Sequence, residues 1–172
     1  MITSKILIIT ICLFFLFDLV KAETATIRVK IDEMVLVLEK EGQEIKRYSV
    51  AVPRSQNPYP HSMLIGRLKR IEMNPVWIPT SRTRAAFLRE RGKILPSVIP
   101  SGNHLNAMGI ARLIIHYENW PNHYPIWIHG TNEPSSIGKR VTRGCIRLHN
   151  DDILDLIERI KNLEKVKIII EQ

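Results

Sequence analysis

The stretch HGTNEPSSIGKRVTRGCIRLHN, residues 129–150, sets one thiol, Cys145, beside Gly144 and between Arg143 and Arg147. A thiolate is a strong nucleophile, and neighbouring cations or a helix N-terminus pull a thiol below its usual pKa of about 8.5. Gly144 has no side chain, so a substrate carbonyl can approach the backbone amides of Gly144 and Cys145. Those amides could hold the oxyanion of an acyl-transfer intermediate. Such a nucleophile needs a base, most often a histidine. The candidates are His61, His104, His116, His123, His129 and His149. His129 ends an apolar run just before Gly130, where a rigid element could aim it. The sixteen residues from there to Cys145 leave room for the chain to fold back. His149 reads better as a helix-start residue. Spacing alone settles neither assignment: a strand-end histidine can be structural, and a cysteine can be an inert buried hydrophobe.

The elements that must position these groups are mostly strands. ATIRVKI (25–31) alternates apolar and polar residues, MVLVLE (34–39) is rich in apolar and β-branched residues, and IKRYSVAV (45–52) runs to Pro53. Residues 53–61 contain three prolines and read as a loop. LIGRLKRI (64–71), IARLIIH (110–116), YPIWIH (124–129) and VKIII (166–170) are further strand candidates. SRTRAAFLRERGK (81–93) predicts a short basic helix, capped by Thr80 or Ser81 and stopped at Gly92. Its many arginines against the single acid Glu90 read as a solvated face or as a contact for acidic ligands. NDDILDLIERI (150–160) predicts the clearest helix. Asn150 is its candidate cap, and Ile153, Leu156, Ile157 and Ile160 share one face. The expectation is a mainly β, sandwich-like domain with about two short helices.

Residues 1–22 read differently from the rest. Lys5, the apolar run ILIITICLFFLF (6–17) and the segment VKA (20–22) have the layout of a secretory signal peptide. The run is short for a membrane span, which needs about 20 apolar residues. Residues 23–172 are then a single domain with a real core. The 172-residue chain carries a formal charge of +8, of which the leader takes a net of one. That balance suits an anionic partner such as a cell-wall polymer or membrane surface. Nucleic acid fits poorly, because no binding signature occurs and the basic residues lack interleaved aromatics. Cys12 leaves with the leader, so Cys145 has no internal disulfide partner.

Other chemistries lack their residues. No H-E-x-x-H or paired-Cys pattern supports zinc, and His116, His123 and His129 make only a loose set. No G-x-S-x-G, phosphate-binding loop or dinucleotide fingerprint occurs, and the carboxylates are scattered. No metal or cofactor is implied.

The segments His129-Gly130-Thr131 and Thr142-Arg143-Gly144-Cys145-Ile146-Arg147 together resemble the signature of the L,D-transpeptidases of bacterial peptidoglycan, the YkuD domain. NPVWIPT (74–80) and LPSVIPSGNHLNAMG (95–109) resemble this family's Pro-x-Trp and Asn-Pro-Met-Gly segments, so the likeness spans about residues 45–170. The resemblance implies the family's catalytic fold, with Cys145 as the acylated nucleophile and His129 as its base. The Gly130 carbonyl would orient the imidazole, and Gly144 would serve the oxyanion. Arg147, Thr131, Arg143 and Thr142 would face substrate, and Asn150 would support the loop and helix start. The sequence departs from the pattern at Arg143, where many members have His, and at Ala107, where Pro is usual.

The implied activity is an exported, periplasmic or cell-envelope enzyme that cleaves the diamino acid–D-Ala bond of a tetrapeptide stem. The acyl group would pass to a second stem, to an outer-membrane lipoprotein lysine, or to water, the last making it an L,D-carboxypeptidase or hydrolase. A monomer open to carbapenem acylation is expected. The rivals are a non-catalytic peptidoglycan-binding scaffold and a secreted peptidase for ordinary L-peptides.

Overall fold

The computed structural model describes residues 24–55, 59, 63–121 and 123–172. The signal-peptide reading of residues 1–22, most of the 53–61 loop and His61 lie outside the described residues.

The alternation seen in the sequence becomes a sheet. Strand β1 (Thr24–Lys30) buries Ala25, Ile27 and Val29, and β2 (Val35–Lys40) and β3 (Gln43–Ser49) follow as antiparallel neighbours. The chain then turns at fully buried Val50 and Ala51 into the short β4 (Val52–Pro53). The single strand expected over 45–52 is therefore two strands, and β4 belongs to a second sheet. Strand β5 (Met63–Met73) leads to helix α1 (Ser81–Arg91), β6 (Ala111–Tyr117) and β7 (Ile128–His129). After β8 (Arg140–Thr142) and β9 (Ile146–Arg147) come helix α2 (Asn150–Ile160) and β10 (Lys165–Glu171). Eight strands form one curled sheet in the order β3-β2-β1-β10-β5-β6-β7-β9, and β4 pairs with β8 in the other. The mainly β fold with two helices is the class expected.

Helix α2 packs four buried residues, Ile153, Leu156, Ile157 and Ile160, into the core that the sheet curls around. Each such side chain stabilises the fold by about 1.5–3 kcal/mol. Helix α1 buries only Ala86. Its ends hold it instead: Thr80 Oγ1 accepts from Thr83 N at 3.1 Å, and left-handed Gly92 donates to Leu88 O at 2.8 Å.

At the site end of the sheet one expectation fails and two strands are new. The strand predicted over 124–129 shrinks to Ile128–His129, since Pro125 has no N–H for a ladder. Strands β8 and β9, only three and two residues long, had no sequence signal. No helix among the described residues is long and apolar enough to cross a membrane.

Candidate active site

The parallel pair β7–β9 builds the site. Its register sets Ile128 opposite Ile146 and His129 opposite Arg147. Ile128 and Ile146 are fully buried in the core. Successive side chains alternate faces, so Trp127, His129, Cys145 and Arg147 share the opposite face. The short β9 thus sets the predicted thiol, just before it, on the same face as the predicted base.

His129 is 2% exposed, and its Nδ1 lies 2.6 Å from the Gly130 carbonyl. Burial, reinforced by the Arg147 guanidinium, pushes its pKa down to about 3, against the carbonyls of Gly130 and Ala107, which favour the charged ring. The imidazole is therefore neutral at physiological pH. Its Nδ1–H donates to Gly130 O, which leaves Nε2 with the lone pair.

Cys145 is partly buried. Desolvation pushes its thiol up, while the Trp127 backbone N–H and then Arg147 and Arg112 pull it down. A neutral thiol beside a neutral imidazole follows, with the proton moving only when attack begins.

The turn carrying the thiol is pinned from three directions. Tyr59 donates its hydroxyl to Gly144 O at 2.5 Å, and burial keeps that phenol protonated. Thr142 Oγ1 donates to Cys145 O at 2.6 Å and itself accepts from the Gly144 N–H at 3.4 Å. Gly144 has φ +147°, a conformation that suits glycine. The Cys145 N–H has no acceptor among the described residues.

Asn150 is not the helix cap expected of it. The cap position falls to His149, which makes no side-chain capping bond. Asn150 instead accepts from Thr131 N at 3.0 Å and Ile110 N at 3.4 Å, tying the loop after His129 to the loop before β6. A Cβ at Gly109 or Gly130 would collide with Asn150 Oδ1, which explains both glycines. Thr131 is 1% exposed, and its hydroxyl accepts from Glu133 N at 3.0 Å.

The departure at Ala107 leaves the loop well fixed. Asn106 is buried; its Nδ2 donates to Pro75 O at 2.9 Å and Pro100 O at 3.0 Å, and its Oδ1 accepts from Met108 N at 2.9 Å.

The arginines do not form one open basic surface. Arg140 pairs with Asp32, Arg143 with Glu90 at 3.4 Å, and Arg147 with Glu133 at 3.5 Å. Arg143 thus turns to helix α1, which also reaches Glu133 through Arg91 at 3.7 Å. Sequence reasoning missed Tyr59, Glu72, Arg112 and Trp127. Arg112 stacks over the Trp127 ring at 4.4 Å and pairs with Glu72 at 2.9 Å. Among the described residues no group of three His, Cys, Asp or Glu side chains could hold a metal ion.

A histidine held by the next residue's carbonyl, a cysteine just before the neighbouring strand and a curled mainly β sheet define a class. The L,D-transpeptidase catalytic domain (YkuD) matches residues 24–168, and the chain belongs to that family. The chain is 41% identical over 102 residues to the probable L,D-transpeptidase ErfK/SrfK of Salmonella typhimurium, covering 59% of this chain and 30% of that protein. It is 38% identical over 105 residues to the probable L,D-transpeptidase YbiS of Escherichia coli K12, covering 61% of this chain and 31% of that protein. The chain thus spans about a third of the length of these relatives. Among solved structures, the L,D-transpeptidase LdtMt1 in complex with imipenem superposes with a TM-score of 0.54 at 13% identity, covering 86% of this chain and 59% of that one.

Proposed function

We propose that this protein is a cysteine L,D-transpeptidase of peptidoglycan, with Cys145 as nucleophile and His129 as general base. The observation that carries this reading is the β7–β9 pairing, from which alternation sets Cys145 on the same face as His129, whose Nδ1 is held by Gly130 O. The Cys145 sulfur attacks the carbonyl carbon between the diamino acid and D-Ala of a tetrapeptide stem while its proton passes to His129 Nε2. The oxyanion is met by the free Cys145 N–H, with Gly144 on the approach side. The C–N bond then breaks, the D-Ala nitrogen takes the proton from His129, and a thioester remains. An acceptor amine attacks the thioester, His129 removes its proton, and the thiolate leaves and is reprotonated.

Arg147, half-buried near Cys145, would receive a stem carboxylate by exchanging Glu133 for it. Thr131, Thr142 and Asn150 shape the cleft from behind, through the bonds described above. Arg143 reaches substrate only by exchanging Glu90 for it. The acceptor is a second stem or a lipoprotein lysine. Residues 1–22 would act as the leader that exports a monomeric domain to the periplasm. Similarity to proteins named probable L,D-transpeptidases supports the reaction class.

The test is mass spectrometry of purified muropeptides incubated with the protein. Loss of the terminal D-Ala with a new dimer or amine adduct is expected. Loss of D-Ala with water alone would make it a carboxypeptidase. Intact tetrapeptides with cleaved casein-like peptides would replace this reading with an ordinary peptidase.

A further inference from the structure

A line of side chains crosses four strands at the site. Register places Glu72 on β5 opposite Arg112 on β6, Arg112 opposite His129 on β7, and His129 opposite Arg147 on β9. Neighbouring strands lie about 4.8 Å apart, so each arginine starts one strand spacing from the imidazole. Arg147 belongs to the signature segment, whereas Arg112 lies outside it. The Arg112 side chain is only 13% exposed, its Nε donates to Glu72 Oε2 at 2.9 Å, and its guanidinium sits 4.4 Å from the centre of the Trp127 ring. A guanidinium so stacked and paired is fixed in direction as well as place.

We propose that Arg112, clamped by Glu72 and Trp127, is a positioning residue of the reaction: with Arg147 it encloses the Cys145–His129 pair between two fixed positive charges. The proposal rests on Cys145 and His129 being the reacting pair. The groups facing that pair are Arg112 and Glu72 from β6 and β5, and Arg147 from β9. Glu133 lies beyond Arg147, the phenols of Tyr59 and Tyr117, kept protonated by burial, lie near the thiol, and the pair also meets the backbone carbonyls of Gly130 and Ala107 and the N–H of Trp127. Positive charge favours the thiolate and disfavours the imidazolium. Both proton losses therefore move to lower pH, while transfer from sulfur to ring stays nearly balanced. Arg112 acts in this sense on both groups, and burial opposes it at the thiol. Glu72 sets how much of that charge the site feels.

The two partners of one ion pair should then have opposite effects, which a structural role would not give. The test is the pH profile of iodoacetamide alkylation at Cys145, read by peptide mass on the full chain. Arg112→Gln should raise the profile's midpoint by about half to one pH unit, and Glu72→Gln should lower it. Arg112→Lys should bring the midpoint back toward that of the unaltered protein. Circular dichroism and melting curves establish that each variant is folded. An Arg112→Gln midpoint that stays in place, or a Glu72→Gln midpoint that moves up with it, overturns the proposal. Alkylation needs no peptide substrate, so this failure is distinct from a failure to act on muropeptides.

Discussion

The two faces of the β7–β9 pair carry opposite chemistries one residue apart. On one face Ile128 and Ile146 are fully buried against the core. On the other lie Trp127, His129, Cys145 and Arg147, with Arg112 stacked over the Trp127 ring. The first face makes the second possible. A two-residue strand has too few ladder bonds to hold a nucleophile in register, so the buried isoleucines must fix it. Stability and reactivity then respond separately to substitution, although the residues are neighbours in sequence.

The sharpest separation is expected at Cys145 itself. Cys145→Ala should lower transfer to an acceptor amine by at least about a thousandfold in kcat, with the melting temperature nearly unchanged. Ile146→Ala, the adjacent residue, should do the reverse. It should lose about 2–5 kcal/mol of stability in urea titration, while the folded fraction still reacts at Cys145.

Acid probes the same divide. The folded-state pKa of His129, about 3, lies below its unfolded value, so the unfolded chain takes up a proton that the native chain refuses. Stability is complete above the unfolded pKa, near 6.5, and falls as pH drops toward 3. Between pH 6.5 and 5, above the range where carboxylates bind protons, the loss from this residue should be about 1.5 kcal/mol. His129→Gln should flatten that portion of the stability curve. An unchanged slope would break the link between burial of the base and its neutral state.

A smaller effect is expected at Tyr59, whose hydroxyl holds Gly144 O. Tyr59→Phe should cost about 1 kcal/mol of stability and reduce kcat more than it changes KM, because it loosens the turn under the thiol. Equal effects on kcat and KM would mean that the phenol meets substrate directly.

Much of this was legible in the sequence, and the limits have physical causes. Periodicity revealed β1, β6 and α2, because each buries one face along most of its length, and apolar runs marked β2, β5 and β10. The same reasoning joined β3 to β4, since the buried run Val50-Ala51-Val52 looks continuous until the chain changes sheet. It overlooked β9, whose two residues carry no period. Cys145 and Gly144 stood out by residue type, while His129 and Gly130 were singled out through the family resemblance; the β7–β9 pairing sets Cys145 and His129 on one face. Arg112 lies in the strand candidate IARLIIH, where sequence alone gives it no partner. Only register shows that it faces Glu72 on one side and His129 on the other. For Asn150 the cap read from local sequence fails, because its bonds to Thr131 and Ile110 are not local, whereas the loop support implied by the resemblance matches those bonds.

Cys145 is the centre of the account, and trapping its acyl form tests it most directly. LdtMt1, which shares this fold, is known in complex with imipenem. Intact mass after incubation with imipenem, followed by peptide mapping, should show one stable adduct on Cys145 that disappears in Cys145→Ala. Folded protein that takes up no adduct, or an adduct that persists in Cys145→Ala, would contradict the assignment of Cys145 as the nucleophile.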